Sequence, residues 1–151
     1  RNNKRAQMIT FGEKLKIYIE QEGLNLIKLN KKAEVEYSTF RNILVNFKRN
    51  KGSLQIFLKY CEVLGYHIDF ILTNKETGEK ISEPGMTVGS LIKMIMTKDK
   101  IAVVDISEKA NITIDGVNKR IRHLSENVGT INKLIEFVDL VGYSIDIVFV
   151  K

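Results

Sequence analysis

The sequence predicts a mainly α fold built from two tandem units, each of four helices followed by a C-terminal β-strand. Three observations carry this. The chain repeats itself: residues 10–74 align with residues 87–151 at a constant offset of 77, without a gap. Thr10, Gly12, Lys16, Lys32, Ala33, Asn50, Gly52, Gly65, Tyr66, Ile68 and Asp69 recur as Thr87, Gly89, Lys93, Lys109, Ala110, Asn127, Gly129, Gly142, Tyr143, Ile145 and Asp146. These are glycines, apolar residues and turn points, where backbone geometry and packing restrict residue choice. Apolar residues also recur at helical spacing through most of each copy. Each copy then ends in a stretch alternating at the period of a strand. The expected units are 1–77 and 87–151, joined by a linker at 78–86. Units of about 70 residues are marginal alone, so the copies are expected to share an interface as an intramolecular pseudo-dimer.

The first helix is expected over Thr10–Glu22, with Phe11, Leu15 and Ile19 on one face, and again over Thr87–Lys98 with Ile92 and Met96. A short second helix starts near Asn25 and runs to Ala33; its counterpart runs from Ala102 to Ala110. After a brief turn comes a third, near Ser38–Phe47 and Asp115–Leu124. It buries Phe40, Leu44 and Phe47 in copy one, and Val117, Ile121 and Leu124 in copy two. The fourth has the clearest pattern. Ser53 and Thr130 offer N-cap hydroxyls. Leu54, Phe57, Leu58, Cys61 and Ile131, Leu134, Ile135, Val138 then follow at i, i+3, i+4, i+7. Gly65 and Gly142 end it.

Period two takes over next. Tyr66, Ile68, Phe70 and Leu72 alternate with His67, Asp69, Ile71 and Thr73; Tyr143, Ile145, Ile147 and Phe149 alternate with Ser144, Asp146, Val148 and Val150. A lone strand leaves its backbone groups unpaired. Pairing of the two strands in a small antiparallel sheet is the simplest solution. A hairpin through 74–78 onto Glu79–Ser82 is a second, compatible with the first.

Composition narrows the class. The chain is 44% apolar, which indicates a globular protein. No apolar run approaches the roughly 20 residues of a membrane helix, and no secretory signal is visible. The single cysteine, Cys61, aligns with Val138 and reads as a small buried apolar residue, in keeping with a reducing cytoplasm. Charge is uneven: residues 1–77 hold 14 Lys/Arg and 8 Asp/Glu, and residues 78–151 hold ten of each. A basic first copy points to a polyanionic partner. There is no Walker loop and no Gly-rich dinucleotide turn. Two histidines and one cysteine in unlike settings do not make a metal site, and no nucleophile has an evident histidine partner. Neither an enzyme nor a cofactor is expected.

Short helix, turn, second helix and a capped helix is the layout of a helix-turn-helix unit. Residues Leu29-Asn30-Lys31-Lys32-Ala33-Glu34-Val35-Glu36-Tyr37-Ser38-Thr39-Phe40-Arg41-Asn42-Ile43 resemble the bihelical core of the Cro/repressor-like (Xre) family, whose buried positions Leu29, Val35, Phe40 and Ile43 match. The Gly65-Tyr66 ending plus a strand is similar to family members with a C-terminal strand, including some antitoxins. The resemblance covers nearly all of both copies. It implies two tandem lambda-repressor-like units and a cytoplasmic, prokaryotic or phage-encoded transcriptional regulator on double-stranded DNA. The family usually has Ala after the first apolar position and Gly in the turn. Asn30 and Glu34 stand there in copy one, Ser107 and Asn111 in copy two, and Arg120 replaces Ile43.

On that resemblance the third helix enters the major groove. The base-reading candidates are Ser38, Thr39, Arg41, Asn42 and Asn46 in copy one, and Asn118, Lys119 and Arg122 in copy two. Arg pairs with guanine edges and Asn with adenine. Lys48, Arg49 and Lys51 follow the copy-one helix, where cations suit phosphate contacts; Asn25 and Lys28 complete that set. Copy two has Ser125-Glu126-Asn127-Val128 in place of the basic segment. Either the copies read different half-sites of an imperfect repeat, or copy two has become mainly a dimer-like partner. His123 reads as a surface histidine, with a phosphate contact as the alternative, and His67 is assigned no role. The competing reading is a protein-interaction module, such as an antitoxin or mobile-element inhibitor, that holds a protein through its strands or second unit. Further homodimerisation is compatible with either.

Overall fold

The structure, a computed structural model, describes residues 10–23, 31 and 37–151, and of 37–40 the backbone alone. Among these residues seven helices and a three-stranded antiparallel sheet are present. In copy one they are α1 (Phe11–Gln21), α2 (Tyr37–Lys48), α3 (Leu54–Val63) and β1 (His67–Asn74), followed by β2 (Lys80–Ile81). In copy two they are α4 (Val88–Lys98), α5 (Val103–Ala110), α6 (Ile114–Ser125), α7 (Ile131–Leu140) and β3 (Tyr143–Val150). Of the expected copy-one helix from Asn25 to Ala33 only Lys31 is described, and it is helical.

Local chemistry explains where the helices begin. Thr10 and Glu13 form a reciprocal capping box: the Glu13 amide donates to Thr10 Oγ1 at 3.1 Å, and the Thr10 amide to Glu13 Oε1 at 2.9 Å. The Thr10 amide is also the main reason the Glu13 carboxyl is held below its usual range, with the Thr10 hydroxyl second. Ser53 and Thr130 cap α3 and α7 as expected, accepting from the amides of Ile56 and Lys133. Gly65 and Gly142 follow with φ of 90° and 88°, a conformation costly for any side chain.

The sheet joins the two copies. Its order is β2-β1-β3, so both expected pairings occur together: β1 with β3 over eight residue pairs, and β1 with β2 through Leu72↔Ile81 and Thr73↔Lys80. The β1–β3 register is self-symmetric, because carrying His67↔Val150 through the repeat gives Ser144↔Thr73, which is also a pair. Phe70↔Ile147 joins equivalent residues and so sits on a pseudo-twofold axis. The same axis passes through the bridge Ser53↔Thr130. Around it the Leu54 amide donates to Gly129 O at 2.9 Å and the Ile131 amide to Gly52 O at 3.0 Å, one bond being the image of the other. Ion pairs Lys14–Asp146 and Lys75–Asp139 also cross between copies.

The expected apolar faces meet in one core. Phe11, Leu15, Ile19, Phe47, Leu54, Phe57 and Cys61 are buried with Ile68, Phe70 and Leu72, and so are Ile92, Val117, Ile121, Leu124, Ile131, Leu134 and Val138. Ile43 is only partly buried. Tyr60 and Phe137 lie beside the fourth-helix stripe yet are also buried; Tyr60 packs edge-on against Phe47, with centroids 5.9 Å apart. Gly12 and Gly89 mark the tightest helix contacts. A Cβ on Gly12 would stand 2.2 Å from the Phe47 carbonyl carbon, and one on Gly89 would stand 2.3 Å from the Ser125 amide. These two glycines let α2 and α6 seat directly on the preceding first helices.

Candidate nucleic-acid interface

In copy two a tight turn sets one helix across another. Between α5 and α6 lie Asn111, Ile112 and Thr113. Asn111 is left-handed, at φ 56° and ψ 46°, a conformation that asparagine tolerates better than most residues. Ser107 donates its hydroxyl to Ile112 O at 2.5 Å and so ties the turn down. Thr113 then caps α6, accepting from the Gly116 amide at 3.0 Å. Ile106 on α5 is buried in the same core as Val117, which fixes the face α6 turns inward.

That orientation leaves Asn118, Lys119 and Arg122 exposed on α6. On α2, Phe47 faces the core, while Arg41, Asn42, Val45 and Asn46 are exposed. Lys48 closes the last turn of α2, and Arg49 and Lys51 follow it, all exposed. The amides of Arg49 and Lys51 both donate to Asn46 O, at 3.1 and 2.9 Å, which folds the basic segment back over the helix end. Cations there also complement the negative end of the helix dipole. Among the described residues, none of Arg41, Lys48, Arg49 and Lys51 is ion-paired. Ser38 and Thr39 fall in the first turn of α2, where the backbone alone is described, and Asn25 and Lys28 lie outside the described residues.

The loops after the two helices share a backbone form and differ in chemistry. Asn50 and Asn127 are both left-handed, at φ 56° and 58°. Asn50 Oδ1 accepts from the Phe11 amide at 3.0 Å, while Asn127 Oδ1 is buried without a partner. The basic loop is thus anchored to the start of α1, and its copy-two counterpart lacks that tie.

A second duplicated feature went unread in the sequence. Tyr66 donates its hydroxyl to Glu22 at 2.7 Å, and Tyr143 donates to Asp99 at 2.9 Å. These are equivalent residues, and each pair latches the end of a first helix to the start of a strand. The signal was present in the alignment, since Tyr recurs and Glu22 is matched by another acid.

The apolar faces of β1 and β3, which the interaction-module reading would offer to a partner, are buried against this chain's own helices. Among the described residues no helix is long and apolar enough to cross a membrane, and no cluster of three His, Cys, Asp or Glu is arranged to hold a metal ion.

No family model, curated protein or solved structure matches the chain. The functional reading therefore rests on its own geometry.

Proposed function

We propose that this protein is a sequence-specific DNA-binding regulator whose two helix-turn-helix units read an imperfect inverted repeat with α2 and α6. The observation that carries the reading is the internal dyad. It relates α2 to α6 through a fully paired β1–β3 ladder. A protein twofold matches a palindromic site, whereas two units strung on a flexible linker would also suit direct repeats. The exposed residues on both helices are of the types that read base edges, and the cations after α2, in no ion pair among the described residues, suit phosphates. The chemistry of the two helices differs, so the two half-sites are expected to differ as well.

Selection from random duplexes tests this. The enriched site should be an imperfect inverted repeat with half-sites about one helical turn, ~34 Å, apart. Reversing one half-site into a direct repeat should cost most of the specific affinity. Equal affinity for the two arrangements would rule out dyad-matched reading. An absence of salt-sensitive duplex binding would rule out DNA as the partner.

A further inference from the structure

The two copies differ around one cleft. It lies in copy two between α6, the following loop and the start of α7, and has a volume of about 320 Å³. Leu124 and Phe137 contribute its apolar lining, and Lys119, Arg120 and Lys133 its cationic one, with His123 beside them. In copy one the residues equivalent to these four are Asn42, Ile43, Asn46 and Ile56. Three of these positions carry a full positive charge in copy two alone, and the fourth an imidazole, on α6 and α7 together. Drift on a solvated face gives no reason for such charges to converge on a single cavity. Arg120, a departure from the family pattern, thereby acquires a location that accounts for it.

The charges are also uncompensated. Among the described residues no carboxylate lies within salt-bridge distance of any of the four. Like charges gathered without a counter-charge repel, and an anion seated among them relieves that repulsion. Guanidinium favours planar, bidentate acceptors, which carboxylates supply. The Leu124 and Phe137 walls favour an apolar body behind that group, and the volume falls within the range of small-molecule pockets.

We infer that this cleft binds a small amphiphilic organic anion, with an acidic group held by Arg120 and Lys133 and an apolar, ring-sized body against Leu124 and Phe137. Binding itself does not depend on the DNA reading. One consequence does rest on it: Lys119 belongs both to the cleft and to the proposed base-reading set, so an occupied cleft competes with DNA.

The probe is anilinonaphthalene sulfonate, an aromatic anion, with N-phenylnaphthylamine as its neutral counterpart. Full-length protein should bind the anion saturably, weaken as salt is added, and shift amide resonances around Thr130 and His123. The variant R120I/K133I carries the residues copy one already uses at these positions; K133Q alters only an exposed side chain. The double variant should lose affinity for the anion at least tenfold and K133Q severalfold, with thermal midpoints near wild type. Unchanged anion affinity in both variants would overturn the inference. So would equal binding of the neutral probe at the same resonances, which would mark an apolar groove alone. Loss of DNA affinity with no anion binding in the wild type would make these cations phosphate contacts and equally overturn it. If the DNA reading fails, anion binding persists and only the competition disappears.

Discussion

Gly89→Ala adds one methyl group where the structure has no room. The new Cβ would lie 2.2 Å from Ser125 Oγ, 2.3 Å from the Ser125 amide and 2.7 Å from Ile121 O. The hydroxyl can rotate away, but the amide and carbonyl belong to α6 itself. Restoring an ordinary 3.4 Å separation from that amide requires α4 and α6 to part by about 1.1 Å. Parting them loosens the packing of Leu91, Ile92 and Ile95 with Val117, Ile121 and Leu124. Overpacking of this kind costs about 1–3 kcal/mol, and rigid backbone places it at the upper end. Better helix propensity returns at most about 1 kcal/mol. A net loss of about 2 kcal/mol should lower the thermal midpoint by roughly 4–8 °C at this chain length. Calorimetry or circular dichroism reads it directly. Gly116→Ala on α6 is the control: its Cβ would come no closer than 3.2 Å, to a threonine hydroxyl, so the same propensity gain of up to about 1 kcal/mol meets no backbone clash and the midpoint should not fall. A Gly89→Ala midpoint at or above wild type would refute the idea that this glycine exists for close helix approach.

Replacing Lys48, Arg49 and Lys51 together by Gln should weaken binding to all duplexes and reduce the salt slope by about 2.7, for three phosphate contacts at ~0.9 each; an unchanged slope would remove the phosphate role. Arg41→Ala should instead relax preference at one base position, at a cost of about 1–3 kcal/mol, visible in competition between cognate and mismatched duplexes. Burial pushes the Cys61 thiol up to about 12, so a thiol reagent at pH 8 should label it only after unfolding in urea; rapid labelling of native protein would contradict its placement. The Tyr66 hydroxyl is raised above its usual pKa by its bonds to Tyr18 and Glu22, and the Tyr143 hydroxyl by burial and by Asp99. Both phenols therefore stay protonated longer in the folded chain. Their stabilisation is complete below about pH 10, the unfolded value, and is lost as pH rises through the folded values. Urea titrations should show an alkaline fall that Tyr143→Phe reduces, and an identical fall in that variant would show that the latch plays no part.

The helices and their caps were legible in the residues because those signals are local. Ser53, Thr130, Gly65 and Gly142 act within a few residues of themselves, and the stripe Leu54, Phe57, Leu58, Cys61 records the face its own helix buries. Tyr60 and Phe137 escaped that reading because what covers them comes from other elements. The candidate interface was half legible. Comparing the copies located the exposed Arg41, Asn42, Lys119 and Arg122 and the loss of the basic loop, since outward positions on a helix follow from its inward ones.

Alternation along β1 and β3 announced two strands, and the need to satisfy their backbones pointed to pairing between them, but the register stayed open because it is set by contacts between distant residues. The tertiary structure chose: the register through Phe70↔Ile147 and the bridge Ser53↔Thr130 turn a tandem repeat into a dyad. Direct and inverted repeats of DNA differ in just that respect, and no periodicity within one copy could separate them. The cleft was hidden for the same reason. Arg120 and Lys133 stand 13 residues apart on different helices, where copy one has two isoleucines, and only the turn at Gly129 and Thr130 brings both to one cavity.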